Sequence, residues 1–218
     1  MSVCGARSPR RGTKETTELE SLRTTTTSGL LEALLDPGER TAWSEFDHRY
    51  RPILFAFGRK LGLDPEAAAE VAQESLVDFS TDYHAGRYDR ERGRLRSWLI
   101  GIARHRVSSY LRDRGRRREL HGHSTLDQMQ KPELEEAWES ARRLAILERG
   151  LEELRTESKT SSRTLRVFSQ VALEHLPAEQ VAATNDMTVA EVYRVKYRLT
   201  RRLREIVQHL ESIYVDDV

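Results

Sequence analysis

The sequence holds one cysteine, Cys4, which excludes an internal disulfide and any cysteine-rich zinc site. No apolar run approaches the roughly 20 residues that a bilayer-spanning helix needs, and the mean hydropathy is −0.66. The opening residues, Met1 to Arg11, carry arginines but no apolar stretch, so no secretory signal is expected. Walker loops, nucleophile elbows and Gly-rich phosphate cradles are also missing, which removes the usual grounds for catalysis or a bound cofactor. Only 38% of the 218 residues are hydrophobic and a third are charged, so any core must be modest. The expectation is a cytoplasmic protein that is not an enzyme, has no membrane partner and takes no cofactor or metal.

Charge is what the chain has in abundance, and its distribution is uneven. The net charge is only +1, yet residues 87–118 hold 12 basic against 3 acidic side chains, giving +9. Residues 188–204 hold 6 basic against 1 acidic, giving +5, whereas 41–86, 119–160 and 205–218 each come to −4. Two basic blocks in an otherwise acidic chain point to two surfaces that meet a polyanion. The competing reading is a pair of solvated arginine-rich helix faces.

Periodicity gives helices throughout. Residues 1–28 are polar, end in a run of threonines, and are expected to be disordered because they bury too little apolar surface. Leu30, Leu31, Leu34 and Leu35 form a short apolar turn that Asp36-Pro37-Gly38 stops. Trp43, Phe46, Tyr50, Ile53, Leu54 and Phe57 recur at helical spacing, with Pro52 expected to kink or split that helix. Asp64-Pro65 opens the next helix as N-cap and first helical residue. The clearest stripe is Leu95, Trp98, Leu99, Ile102, Ala103, Val107, Tyr110 and Leu111, with Arg94, Arg104, His105, Ser108 and Arg112 opposite. Arg106 intrudes on the apolar stripe and is expected to snorkel or pair with a carboxylate. Trp98 is open to two readings, core packing or base contact. No strand alternation or hairpin dipeptide occurs, so the fold class is all-α: two small helical domains joined by a flexible linker. Their expected limits are 29–115 and 133–213, with 116–132 as linker.

The second domain ends in the pattern of a helix-turn-helix. A short helix over Pro177 to Ala183 is followed by a turn in which Asn185 can adopt the left-handed conformation. Thr188 then caps a long helix that buries Val189, Val192, Val195, Leu199 and Leu203. Ala190, Arg194, Tyr197, Arg198 and Arg201 point outward. A helix entering the major groove needs small or hydrogen-bonding residues near its start and cations further along, and this row supplies both.

Three motifs together resemble the extracytoplasmic-function (ECF) sigma factors of bacterial RNA polymerase. The first joins Phe46-Asp-His-Arg-Tyr-Arg-Pro-Ile-Leu to Ala68-Ala-Glu-Val-Ala-Gln-Glu-Ser-Leu-Val; the second is Tyr88-Asp-Arg-Glu-Arg-Gly-Arg-Leu-Arg-Ser-Trp-Leu-Ile-Gly-Ile-Ala-Arg; the third is the helix-turn-helix. The resemblance covers about residues 30–212 and implies core RNA polymerase and promoter DNA as partners, with an anti-sigma factor left open as a further one. It assigns polymerase binding to Glu70, Gln73, Glu74 and Asp78. It assigns the −10 element to Tyr83, Arg87, Tyr88, Arg94, Arg96, Trp98, Arg104, His105, Ser108 and Arg112. It assigns the −35 element to Thr188, Ala190, Glu191, Arg194, Tyr197, Arg198 and Arg201. His105 stands where the family most often has Asn, and residues 1–28 have no counterpart in the minimal pattern.

Two other functions compete. A stand-alone DNA-binding regulator would use only the helix-turn-helix and dimerise through residues 133–155, with no need of the acidic helix around Gln73 and Glu74. A sigma-mimicking interaction protein would use that acidic surface without reading DNA, which the two basic blocks disfavour. His121-x-His123 lacks further ligands at metal spacing, and Glu133, Glu135, Glu136 and Glu139 form a solvated face rather than an acid/base pocket.

Overall fold

The computed structural model describes residues 22, 25, 27–36, 40–89, 91, 93–117, 129–157 and 160–214, without the side chains of 115–117 and 157. Most of the polar N-terminal stretch, Arg90, Arg92, Arg118, the linker segment with His121 and His123, and the last four residues lie outside that description. Every regular element among the described residues is helical: α1 (Thr27–Ala33), α2 (Arg40–Lys60), α3 (Pro65–His84), α4 (Leu95–Arg117), α5 (Lys131–Glu157), α6 (Ser162–Phe168), α7 (Ala178–Thr184) and α8 (Val189–Ile213). Residues Ser169–Leu173 continue α6 as a π-helical turn.

The chain divides into two compact units. One comprises residues up to Arg142 together with Ile213 and Tyr214, and the other runs from Arg143 to Ser212. In the first, α3 packs on both α2 and α4. Its core takes Phe46, Tyr50, Ile53 and Phe57 from α2, Ala68, Val71, Ala72 and Phe79 from α3, and Leu99, Ala103 and Val107 from α4. Leu30 and Leu34 close one end with no exposed surface. Asp64 caps α3 as expected, its carboxylate accepting from the Ala67 amide at 3.0 Å with Pro65 in the first turn.

Pro52 neither splits nor ends α2, which is continuous from Arg40 to Lys60. The proline is exposed, so the carbonyl that loses its intrahelical donor there is open to water, and the apolar face of α2 stays packed on either side. The first unit also extends further along the sequence than residue 115. Trp138, which the sequence groups with the second domain, is 1% exposed and meets Phe57 edge-on at 5.6 Å. Leu134 and Ala141 are buried on the same side. Tyr214 closes over Tyr50 at 6.0 Å and donates to the Arg49 carbonyl at 3.3 Å. The Arg49 guanidinium, buried beside Tyr214, pairs with Glu45 at 3.2 Å.

The second unit is built around Val167, Phe168, Val171, Val181, Val192, Leu199, Ile206 and Leu210. Gly150 on α5 lets α8 come close: a Cβ there would stand 3.1 Å from the Val207 methyl. The turn between α7 and α8 forms where expected, but Asn185 is not its left-handed residue. Asp186 takes that conformation, with φ 51°, and Asn185 has φ −111°. Asn185 is instead buried, and its amide donates to the Val181 carbonyl and to Gln170 Oε1, each at 2.8 Å. Burial with two satisfied donors holds the side chain inward, so the strain passes to the next residue.

Trp138→Ala removes a fully buried indole from the face of Phe57 and should cost about 3–5 kcal/mol in stability. Urea unfolding of the full chain measures this; a loss below about 1 kcal/mol would show that the start of α5 is not part of the first unit's core.

Candidate nucleic-acid interface

The basic block of α4 and the loop before it divides into two groups in space. Arg94, His105 and Arg112 are exposed and Arg104 is half-buried on the outer side of α4. Other arginines of the block are held within the protein. Arg106 pairs with Asp78, and with Glu74 at 3.2 Å, across α3 and α4. Arg114 reaches Asp64 at 2.9 Å. Arg87 reaches Asp82, in the last turn of α3, at 2.8 Å but stays 67% exposed.

Two expected DNA contacts on α4 do not lie on its outer face. Arg96 is only 20% exposed and lies 3.8 Å from both Glu135 and Glu139 of α5. Ser108 is 8% exposed and sits with the buried side of the helix. The wheel for α4 puts Ser108 outward, and packing covers it; Arg96, assigned to DNA by the resemblance, is drawn to the carboxylates of α5.

Beside α4 opens a cavity of about 600 Å³ bordered by Asp78, Asp82, Arg87, Trp98, Gly101 and His105. Trp98, the indole at its border, is linked through Tyr88 to the aromatic core. Phe79 stacks on Phe46 at 4.7 Å, Tyr83 lies 6.0 Å from Tyr88, and Tyr88 meets the Trp98 ring edge-on at 5.8 Å. Trp98 is half-buried, and its indole Nε1 is buried without a hydrogen-bond partner among the described residues. Trp98 thus packs on Tyr88 and also borders the cavity. The Tyr83 hydroxyl donates to the Leu31 carbonyl. Burial, with Glu32 nearby, pushes its pKa above the ordinary tyrosine value.

Nearer the start of α3, Glu70 and Gln73 are exposed and Glu74 is half-buried. With Val77 and Arg106 they border a shallow depression of about 390 Å³. Val77, 58% exposed, is missing from the expected set, although its i+4 spacing from Gln73 puts it on that face. Glu74 and Asp78 are engaged by Arg106, so they do not present free carboxylates there.

The long helix α8 has a well-formed entry. The Thr188 amide donates to Glu191 Oε2 at 2.8 Å, and the Glu191 amide donates to Thr188 Oγ1 at 3.3 Å, a reciprocal capping box. These bonds hold the Glu191 carboxyl below the usual carboxylate range. Both residues expected to meet DNA are thus occupied at the start of α8. Ala190, Arg194, Tyr197, Arg198 and Arg201 are exposed as the spacing predicts, and Arg201 also approaches Glu205 at 3.7 Å. Tyr193, 55% exposed, joins them unforeseen.

What these surfaces define is a helical protein with a basic face on its first unit and a cation-lined helix, α8, in its second. Residues 46–117, about a third of the chain, match the family model of sigma-70 region 2. The match spans α2 from Phe46, together with α3 and α4. No curated protein matches the chain. No helix among the described residues is long and apolar enough to cross a membrane.

Thr188→Ala should cost about 1 kcal/mol of stability through the lost cap. Because the Glu191 pKa is depressed in the folded chain, its contribution is complete above the ordinary carboxylate value and disappears as pH falls through the folded one. The stability difference between the wild type and Glu191→Gln, followed by denaturant unfolding against pH, should therefore shrink on acidification. A difference independent of pH would remove the capping role.

Proposed function

We propose that the chain is an ECF-type sigma factor. In this reading residues 29–115 carry core-polymerase and −10 contacts, residues 133–213 carry the −35 contacts, and the protein works in the cytoplasm. The observation that carries the proposal is the coincidence of a region 2 match over α2–α4 with a separately capped helix-turn-helix downstream. A regulator that needs only the helix-turn-helix has no use for the first of these.

The parts then divide the work. The face of Glu70, Gln73 and Val77 docks the polymerase, with Val77 as its apolar centre and Arg106 holding Glu74 and Asp78 in place. The outer side of α4, with Arg94, Arg104, His105 and Arg112, follows the DNA backbone near −10. The cavity bordered by Trp98 has room for an unstacked base beside the indole, with polar groups of Asp82, Arg87 and His105 at its rim. Capturing such a base offsets the cost of opening the duplex. Within α8, Arg194 lies near enough to the helix start to reach a base edge, and Arg198 and Arg201 lie where the helix meets phosphates.

Mixing the full chain with core RNA polymerase should give promoter-dependent transcription; DNA binding without any gain in transcription would favour the stand-alone regulator. Gln73→Ala combined with Val77→Asp should weaken binding to core enzyme at least tenfold, about 1.4 kcal/mol, with unchanged helix content by circular dichroism. Unchanged affinity would move the docking face elsewhere.

Arg194→Ala should cost about 1–3 kcal/mol and relax one −35 position, a guanine by its bidentate chemistry. Arg201→Ala should weaken all sequences alike and lower the salt slope by about one contact. Binding to a small −35 library at two salt concentrations separates the two, and the reverse pattern would refute this placement of α8.

A further inference from the structure

The capping box leaves an unusual set of side chains to meet the groove. Glu191 is turned back onto Thr188, so the open face at the start of α8 consists of Ala190, Tyr193, Arg194 and Tyr197. The two tyrosines are 55% and 72% exposed. They stand four residues apart on one side of the helix, with Arg194 and Arg198 as neighbours. The buried stripe of Val192, Val195 and Leu199 faces the other way, so the rings are not turned toward the core.

Flanking cations fit a polyanion, and the rings need an apolar counterpart within it. The major groove offers one at base level, the C5-methyl of thymine; the remaining base edges are hydrogen-bonding groups. Four residues of helix advance about 6 Å, and base pairs follow one another at about 3.4 Å. The two rings thus fit methyl groups within two base-pair steps of one another.

We propose that Tyr193 and Tyr197 are specificity-determining residues that read thymine methyl groups in the −35 duplex. Ala190 keeps the approach clear, and Arg194 reads the neighbouring base. This rests on the reading of α8 as the −35 helix. It predicts a −35 element with two thymines close to a guanine.

The test uses the full chain assembled with core RNA polymerase. A preferred −35 duplex is first selected from a random library, and each thymine in it is then exchanged for uracil, which removes the methyl group alone. Wild type should lose about fourfold in affinity at each methyl that is read. Tyr193→Ala should bind the thymine duplex more weakly and become indifferent to the exchange at one position. Tyr197→Ala should do so at a second position within two steps, and Tyr193→Phe, which keeps the ring, should retain the wild-type penalty.

Equal uracil penalties in wild type and both alanine variants would overturn the proposal. So would a wild type indifferent to every exchange while Arg194→Ala still alters base preference; the −35 reading would then survive without the tyrosines. Intact DNA binding by the alanine variants with lost transcription would assign the rings to a protein surface and equally overturn it. If selection enriches no sequence, the −35 reading fails together with the proposal.

Discussion

Phe79 is the side chain on which the first unit depends. Fully buried on α3, it stacks on Phe46 at 4.7 Å with planes 9° apart, and it touches Trp43, Tyr83 and Tyr88 at 5.5–6.3 Å. Aromatic pairs of this kind contribute about 0.5–1.5 kcal/mol beyond their burial. The more important consequence is positional. The ring ties the α2–α3 core to the loop that leaves α3, and through Tyr88 to Trp98 on α4. Trp98, which borders the cavity, is thereby braced from the core without regular structure in the loop.

Electrostatics then sorts the arginines by role. Pairs as exposed as Arg106 with Asp78 and Glu74 contribute only about 0–1 kcal/mol to stability, so their value lies in geometry. Arg106 fixes the acidic side chains of α3 relative to α4, and Arg96 meets Glu135 and Glu139 where α5 begins. Among the described residues of the basic block, Arg94, Arg104 and Arg112 are left facing outward on or beside α4. In the second unit the same division appears in miniature, with Glu191 holding the start of α8 while Arg194 and Arg198 remain open.

Much of this was legible in the sequence, because it depends on interactions within a few residues. The 3.6-residue stripe located α2, α3, α4 and α8. Asp64 and Thr188 announced their caps through local spacing, and Arg106 gave itself away by interrupting an apolar stripe, which implied a carboxylate partner. The outward row of α8 was readable too, apart from Tyr193, which lies at the margin of the wheel.

Tertiary structure decided what a single helix cannot specify. Whether Pro52 breaks α2 depends on which side of the helix meets water. Whether Arg96 and Ser108 face solvent depends on what packs against α4, and Glu135 and Glu139 lie some forty residues away. Asp186 rather than Asn185 took the left-handed conformation because Gln170, fifteen residues upstream, offers the buried amide an acceptor. Trp138 joined the first unit because Phe57 presents a ring to it. The chain by itself determined its helices, their caps and where charge is concentrated, since these follow from neighbours along the backbone. Only the fold decided which charged and aromatic side chains remain available to a partner, because availability is set by contacts between residues distant in sequence.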